Sequence, residues 1–165
     1  MIVLITGGVK SGKSSFALKL SEGYKRKAFI ATGVPFDEEM RKRIEVHKKE
    51  REGFDTFEEP IEVHEIIENL NGKYDFAIFD CLTTYLGNLF YYKKDIDFYL
   101  NSLIESLKKV NYTLVLVSNE VGWGVISENI ETRRYVEKLG LLNREIAKIA
   151  DKVYLMVSGI EVGIK

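Results

Sequence analysis

Cysteine, proline and glutamine are scarce or missing in this chain. Cys81 is the single cysteine, which excludes an internal disulfide and any metal site built on several thiolates. That accords with a reducing, cytoplasmic compartment. The two prolines, Pro35 and Pro60, each stand just ahead of a helix-like pattern, where a missing N–H costs little. Glutamine is absent while Lys, Arg and Glu are plentiful, a composition that leans toward heat resistance. No apolar run approaches the roughly 20 residues needed to span a bilayer. The opening Met1–Ile5 is too short, and lacks the basic flank, for a signal segment. An excess of one charge is missing too, with 24 Lys and Arg against 25 Asp and Glu. Nothing in that balance favours a nucleic acid or a membrane surface as partner. No repeat, low-complexity stretch or Gly/Ser/Pro linker divides the chain.

What remains is 165 residues, 45% hydrophobic and 30% charged, the profile of one globular domain over 1–165. Short β-branched runs alternate with longer amphipathic ones. The runs predict strands at Ile2–Thr6, Ala28–Thr32, Phe76–Asp80, Leu114–Ser118, Lys152–Ser158 and Val162–Lys165. They predict helices at Lys13–Tyr24, Asp37–Glu52, Ile61–Leu70, from Thr83 onward, at Ile96–Lys109, and at Asn129–Ala150 with a break or bend near Gly140. Alternation of this kind gives an α/β fold with a mostly parallel central sheet flanked by helices. The near-continuous apolar strands agree, because both faces of a parallel sheet are covered. Gly159 marks a tight turn, and the last two strands form an antiparallel C-terminal hairpin. In such sheets ligands bind beyond the carboxyl ends of the strands.

The segment Gly7-Gly8-Val9-Lys10-Ser11-Gly12-Lys13-Ser14 has Walker A spacing, with a strand before it and a helix after it. Glycines let the backbone curl so that successive N–H groups point at phosphate oxygens, and the helix N-terminus adds a favourable dipole. Lys13 is expected to neutralise the β- and γ-phosphates of ATP or GTP, and the Ser14 hydroxyl to bind Mg²⁺. Asp80 closes the run Phe76–Asp80 like a Walker B carboxylate, a second expected Mg²⁺ partner.

Met40, Ile44, His47 and Arg51 follow one another at steps of 4, 3 and 4 and so share one helical face. A histidine there is ordinarily structural. With Lys48 and Arg51 nearby to bind phosphate, its neutral ring nitrogen is a candidate nucleophile toward phosphorus. His64 is read as structural. After the Leu114–Ser118 strand comes Asn119-Glu120-Val121-Gly122-Trp123-Gly124, a loop facing the ligand crevice. Trp123 either stacks on a flat substrate or packs, and Glu120 is the candidate general base. Asn88 and Asn143 are read as capping or packing residues.

Taken in order, several stretches resemble one family. They are Thr6 through Ser14, Ile30-Ala31-Thr32, Asp37–Met40 leading to Arg43-Ile44 and His47, and Thr56–Pro60. They continue with Asp80–Thr83, Asn88-Leu89, Val117–Gly122, Gly140 with Leu142-Asn143, Ala150-Asp151, and Ser158–Ile160. The chain resembles the bifunctional adenosylcobinamide kinase / adenosylcobinamide-phosphate guanylyltransferase family of cobalamin biosynthesis. The resemblance implies that His47 is the residue that becomes guanylylated. It also implies that Gly7–Ser14 hold nucleotide phosphates, and that Ala31, Thr32, Gly33, Lys48, Lys49, Glu50, Arg51, Glu58 and Asp80 are further GTP contacts. It implies adenosylcobinamide and adenosylcobinamide phosphate as substrates beside GTP and ATP, a cytoplasmic location and a homotrimer; Mg²⁺ is the cofactor expected from Ser14 and Asp80. Lys10 stands where the family often has Arg, Leu141 and Arg144 where it tends to have Arg and Gln, and Ser127 near its usual Pro. Two other readings compete: a monofunctional P-loop kinase with a structural His47, and a recombinase-type nucleotide-switch ATPase.

Overall fold

The computed structural model describes residues 1–34, Glu38 and 51–165. Seven strands form one sheet: β1 (Ile2–Gly7), β2 (Lys27–Ala31), β3 (Phe54–Glu58), β4 (Phe76–Asp80), β5 (Thr113–Val117), β6 (Lys152–Val157) and β7 (Ile160–Gly163). Their order is β3-β2-β4-β5-β1-β6-β7, with every pair parallel except the β6–β7 hairpin. The described helices are α1 (Lys13–Leu20), α2 (Val63–Asn69), α3 (Leu82–Tyr91), α4 (Ile96–Lys108) and α5 (Ile130–Ile149).

Strand side chains alternate between two cores. Ile2, Leu4, Ala28, Ile30, Ala77, Phe79, Leu114 and Leu116 face α2, α3, α4 and α5 through Ile67, Leu86, Leu103 and Ile146. Val3, Ile5, Phe29, Phe76, Ile78, Val115 and Val117 face the opposite way, onto Phe16 and Ala17 of α1. Both faces are therefore buried, which is why these strands read as unbroken apolar runs.

Three local differences from the sequence expectation have physical causes. The strand Phe54–Glu58 carries two acids and sits at the sheet edge, so it lacks the hydrophobic signal of its neighbours. The helix α5 runs unbroken through Gly140, because its neighbours Leu139, Leu142, Asn143 and Ile146 are buried and hold the turn in place. Ser158 and Gly159 both have positive φ (51° and 86°) and close a two-residue turn, so the last strand starts at Ile160 rather than Val162. Helix α1 also ends at Leu20, short of Tyr24. Arg51 and Glu52, expected at a helix end, lie in a turn with Gly53 at φ 80°. The rest of the predicted charged helix, with Met40, Ile44, His47, Lys48, Lys49 and Glu50, lies outside the described residues apart from exposed Glu38.

Candidate active site at the phosphate loop

The strand registers put the expected site residues on one line across the sheet. Glu58, Ala31, Asp80, Val117, Ile5 and Tyr154 are successive cross-strand neighbours on β3, β2, β4, β5, β1 and β6. Everything just beyond this row lies at the carboxyl edge, where a ligand of a parallel sheet sits. The phosphate loop leaves this edge from β1, two strands away from Asp80.

The loop's shape depends on its glycines. Gly7 has φ 144°, and a Cβ there would stand 2.5 Å from the Met156 carbonyl oxygen. Gly12, the N-cap of α1, has φ 95°, and a Cβ there would press on the Gly159 backbone at 3.3 Å. Gly8 faces open space. The Gly159 amide donates to the Ser11 carbonyl at 3.1 Å, so the C-terminal hairpin braces the floor of the loop. Lys13 is buried, and its ammonium donates to the Gly8 carbonyl at 2.5 Å and to Ser11 Oγ at 3.5 Å. Burial lowers its proton affinity, and the nearby Cys81 and Asp80 pull it back up. Asp80 is thus within electrostatic reach of Lys13. Ser14, in the first turn of α1, and Asp80 are both half-buried and offer hard oxygen donors, which suit Mg²⁺.

The strand-end loops are laced together. Buried Thr32 donates through its backbone N–H to the Asp80 carbonyl at 3.3 Å, and its hydroxyl accepts from the Cys81 amide at 3.1 Å. The Asn88 amide, itself buried, donates to the carbonyls of Thr32 at 2.8 Å and Pro60 at 3.1 Å. Cys81 Sγ accepts from the Thr84 N–H at 3.4 Å and caps α3. The Glu120 N–H donates to the Gly7 carbonyl at 3.1 Å, and the Asn119 N–H to Thr83 Oγ1 at 3.0 Å. Before the amino end of β3, Arg51 lays its guanidinium 3.9 Å over the centre of the Phe29 ring, at the middle of β2. Arg51 and Glu58 line one cavity of about 530 Å³ with Phe54 and Thr56.

Of the sequence-predicted residues, the structure gathers Gly7–Ser14, Ala31–Gly33, Asp80 and Glu58 at the carboxyl edge, whereas Arg51 precedes the amino end of β3 and reaches only mid-strand Phe29. Val9 and Lys10 are exposed on the loop, Lys10 at φ 59°. His47, Lys48, Lys49 and Glu50 lie outside the described residues. His64 stays with Glu62, 3.8 Å away, and Tyr99. The bracing roles of Gly159, Thr32 and Cys81 were not foreseen. Apart from the local Cys81 cap on Thr84, they join segments more than 40 residues apart, and no local pattern signals them.

A strand–loop–helix phosphate cradle at the edge of a parallel sheet defines a P-loop nucleotide-binding protein. Solved structures share this fold. The flagellar accessory protein FlaH of Methanocaldococcus jannaschii superposes with a TM-score of 0.57 at 13% identity, over 99% of this chain and 77% of that one. A KaiC-like protein of Pyrococcus horikoshii gives 0.52 at 16%, over 93% and 69%. Within that class, the family model for cobinamide kinase / cobinamide phosphate guanyltransferase matches residues 3–164. The bifunctional adenosylcobalamin biosynthesis protein CobU of Escherichia coli K12 is 33% identical over 181 aligned residues, covering all of both chains. CobP of Pseudomonas aeruginosa is 34% identical over 166, covering 98% of this chain and 96% of its own. The chain belongs to the cobinamide kinase / cobinamide phosphate guanyltransferase family of transferases.

Proposed function

We propose that this chain is a single P-loop nucleotide-binding domain that phosphorylates adenosylcobinamide with ATP or GTP. We propose further that it transfers GMP from GTP to adenosylcobinamide phosphate through a guanylyl-His47 intermediate, giving adenosylcobinamide-GDP. The observation that carries this is a formed phosphate loop, with buried Lys13 and nearby Asp80, in a chain matched by the family model from 3 to 164.

In the first reaction the alcohol oxygen of the acceptor attacks the γ-phosphorus. Lys13 and the loop amides meet the charge that spreads over the γ-oxygens and the departing diphosphate. Ser14 and Asp80 are the residues that would hold Mg²⁺, which when bound offsets negative charge on the β- and γ-phosphates. In the second reaction the His47 ring nitrogen bonds to the α-phosphorus of GTP and pyrophosphate leaves. A phosphate oxygen of adenosylcobinamide phosphate then displaces the histidine and takes the GMP. Lys48, Lys49, Glu50, Arg51, Glu58 and Ala31–Gly33 are assigned to the nucleotide on the family resemblance. For Glu58, its pairing with Ala31 at the carboxyl edge supports this. A homotrimer and a cytoplasmic location rest on the same resemblance, and sedimentation velocity reads the first directly.

The test is a two-stage turnover assay read by mass spectrometry. Adenosylcobinamide with ATP is expected to give the phosphate ester, and adding GTP the GDP adduct. Formation of the ester alone would support the monofunctional kinase. Nucleotide hydrolysis with neither product would support the switch ATPase.

A further inference from the structure

We propose that the corrinoid acceptor binds in the cavity between residues 121–127 and the first turns of α5, with its reacting hydroxyl at Glu120. This rests on the kinase reading above and adds to it the place of the second substrate. The cavity holds about 460 Å³, and apolar surface predominates in it, from Val121, Val125, Ile126 and Val136, beside the polar Thr132, Arg133 and Glu137. Val125 is 99% exposed and Ile126 82%. Side chains of this kind clustered at an opening mark a binding surface rather than ordinary exposure. The cavity is also braced. Gly122 packs by Val136, where a Cβ would meet Cγ1 at 3.5 Å. Arg133 Nη1 donates to the carbonyls of Ser127 at 2.9 Å and Glu128 at 2.8 Å.

Its position identifies the occupant. Val121 directly follows Glu120, whose N–H holds the Gly7 carbonyl, so the cavity wall is joined to the first residue of the phosphate loop. A phosphoryl acceptor has to approach the γ-phosphate from a surface adjoining that loop. An aliphatic wall offers little to a guanine ring or to phosphates, but it suits the methyl-bearing edge of an amphipathic macrocycle. The cavity is smaller than a corrinoid. It takes the edge carrying the alcohol arm, leaving the ring beside Trp123, which is 74% exposed.

Glu120 stands where cavity and loop meet. Its Oε1 accepts from Asn143 Nδ2 at 3.5 Å. Asn143 is itself buried and fixed, accepting from Ser118 Oγ at 2.7 Å and donating to the Asn119 carbonyl at 3.2 Å. In the transfer, the acceptor oxygen bonds to the γ-phosphorus and its proton passes to the Glu120 carboxylate. The bond from γ-phosphorus to the β–γ bridging oxygen breaks, and the nucleoside diphosphate leaves with that electron pair.

The experiment compares wild type, Val125→Asp and Glu120→Gln. It measures steady-state phosphorylation of adenosylcobinamide, mant-GTP binding and mass in solution. A carboxylate at position 125 is expected to raise the acceptor KM about tenfold or more. Binding of mant-GTP and the mass should stay as in wild type, since Val125 is exposed and lines a cavity that includes none of Gly7–Ser14. Glu120→Gln is expected to cut kcat about 100-fold, with acceptor KM little changed. An acceptor KM within twofold of wild type in Val125→Asp overturns the placement. So does a loss of acceptor affinity accompanied by a change in mass, which would make this surface a contact between copies of the chain. Wild type that never phosphorylates the corrinoid overturns the kinase reading itself, a distinct result.

Discussion

Lys13 bends its ammonium back onto the Gly8 carbonyl and Ser11 Oγ, inside the curl that a phosphate would fill. Replacing it with Ala removes a charge-assisted partner worth about 1.5–3 kcal/mol. GTP affinity in Lys13→Ala is therefore expected to fall at least about tenfold by isothermal titration. Its proton adds a second prediction. Burial lowers the lysine's pKa from its ordinary 10.5, and a bound triphosphate raises it again, so the complex holds the proton more tightly than the free protein. Affinity should then decline as pH rises, beginning below 10.5, and titrations in buffers of different ionisation enthalpy should record proton uptake on that limb. A flat profile would contradict it. Asn88 acts on stability instead. Asn88→Ala leaves the Thr32 and Pro60 carbonyls without their buried donor, and an expected loss of about 1–3 kcal/mol is read by urea unfolding. The spacing Gly7-x4-Gly12-Lys13-Ser14 made the loop legible in the sequence. The sequence did not reveal what Asn88 and Asn143 hold, because each joins carbonyls and side chains from distant segments.

Among the elements, α5 shows why a glycine in a helical pattern is a weak break signal. Gly140 is exposed, and a Cβ there would meet no atom within 4 Å. The helix carries on because four buried side chains around it outweigh a propensity cost of about 1 kcal/mol. Gly140→Ala is expected to stabilise the protein by about 0.5–1 kcal/mol in thermal or urea unfolding, with activity unchanged. The edge strand β3 shows the opposite limit. It had no hydrophobic run to announce it, and its place is set by pairing with β2 from Lys27↔Phe54 to Ala31↔Glu58. The central strands were readable because burial on both faces demands apolar residues throughout. An edge strand has fewer such demands and reads as a loop.

Across the whole molecule, one row of strand ends positions the candidate site. The phosphate loop leaves it at β1, Asp80 ends β4, and Glu58 ends β3 on the far side of Ala31. With strands about 4.8 Å apart, the row is long enough to lay a nucleoside triphosphate along the sheet edge. β2 ends at this same edge at Ala31, between Glu58 and Asp80, and His47 lies outside the described residues. In the proposed function this edge serves two separate turnovers: an acceptor takes the γ-phosphoryl group of one bound triphosphate, and His47 attacks the α-phosphorus of a second, a GTP. The most direct test is to incubate the protein with Mg²⁺ and GTP labelled at the α-phosphate, denature it, and count label on the chain. The expected result is a protein–GMP adduct that survives alkali, is lost in acid, and is absent from His47→Ala. No adduct in wild type, or the same adduct in His47→Ala, would contradict it.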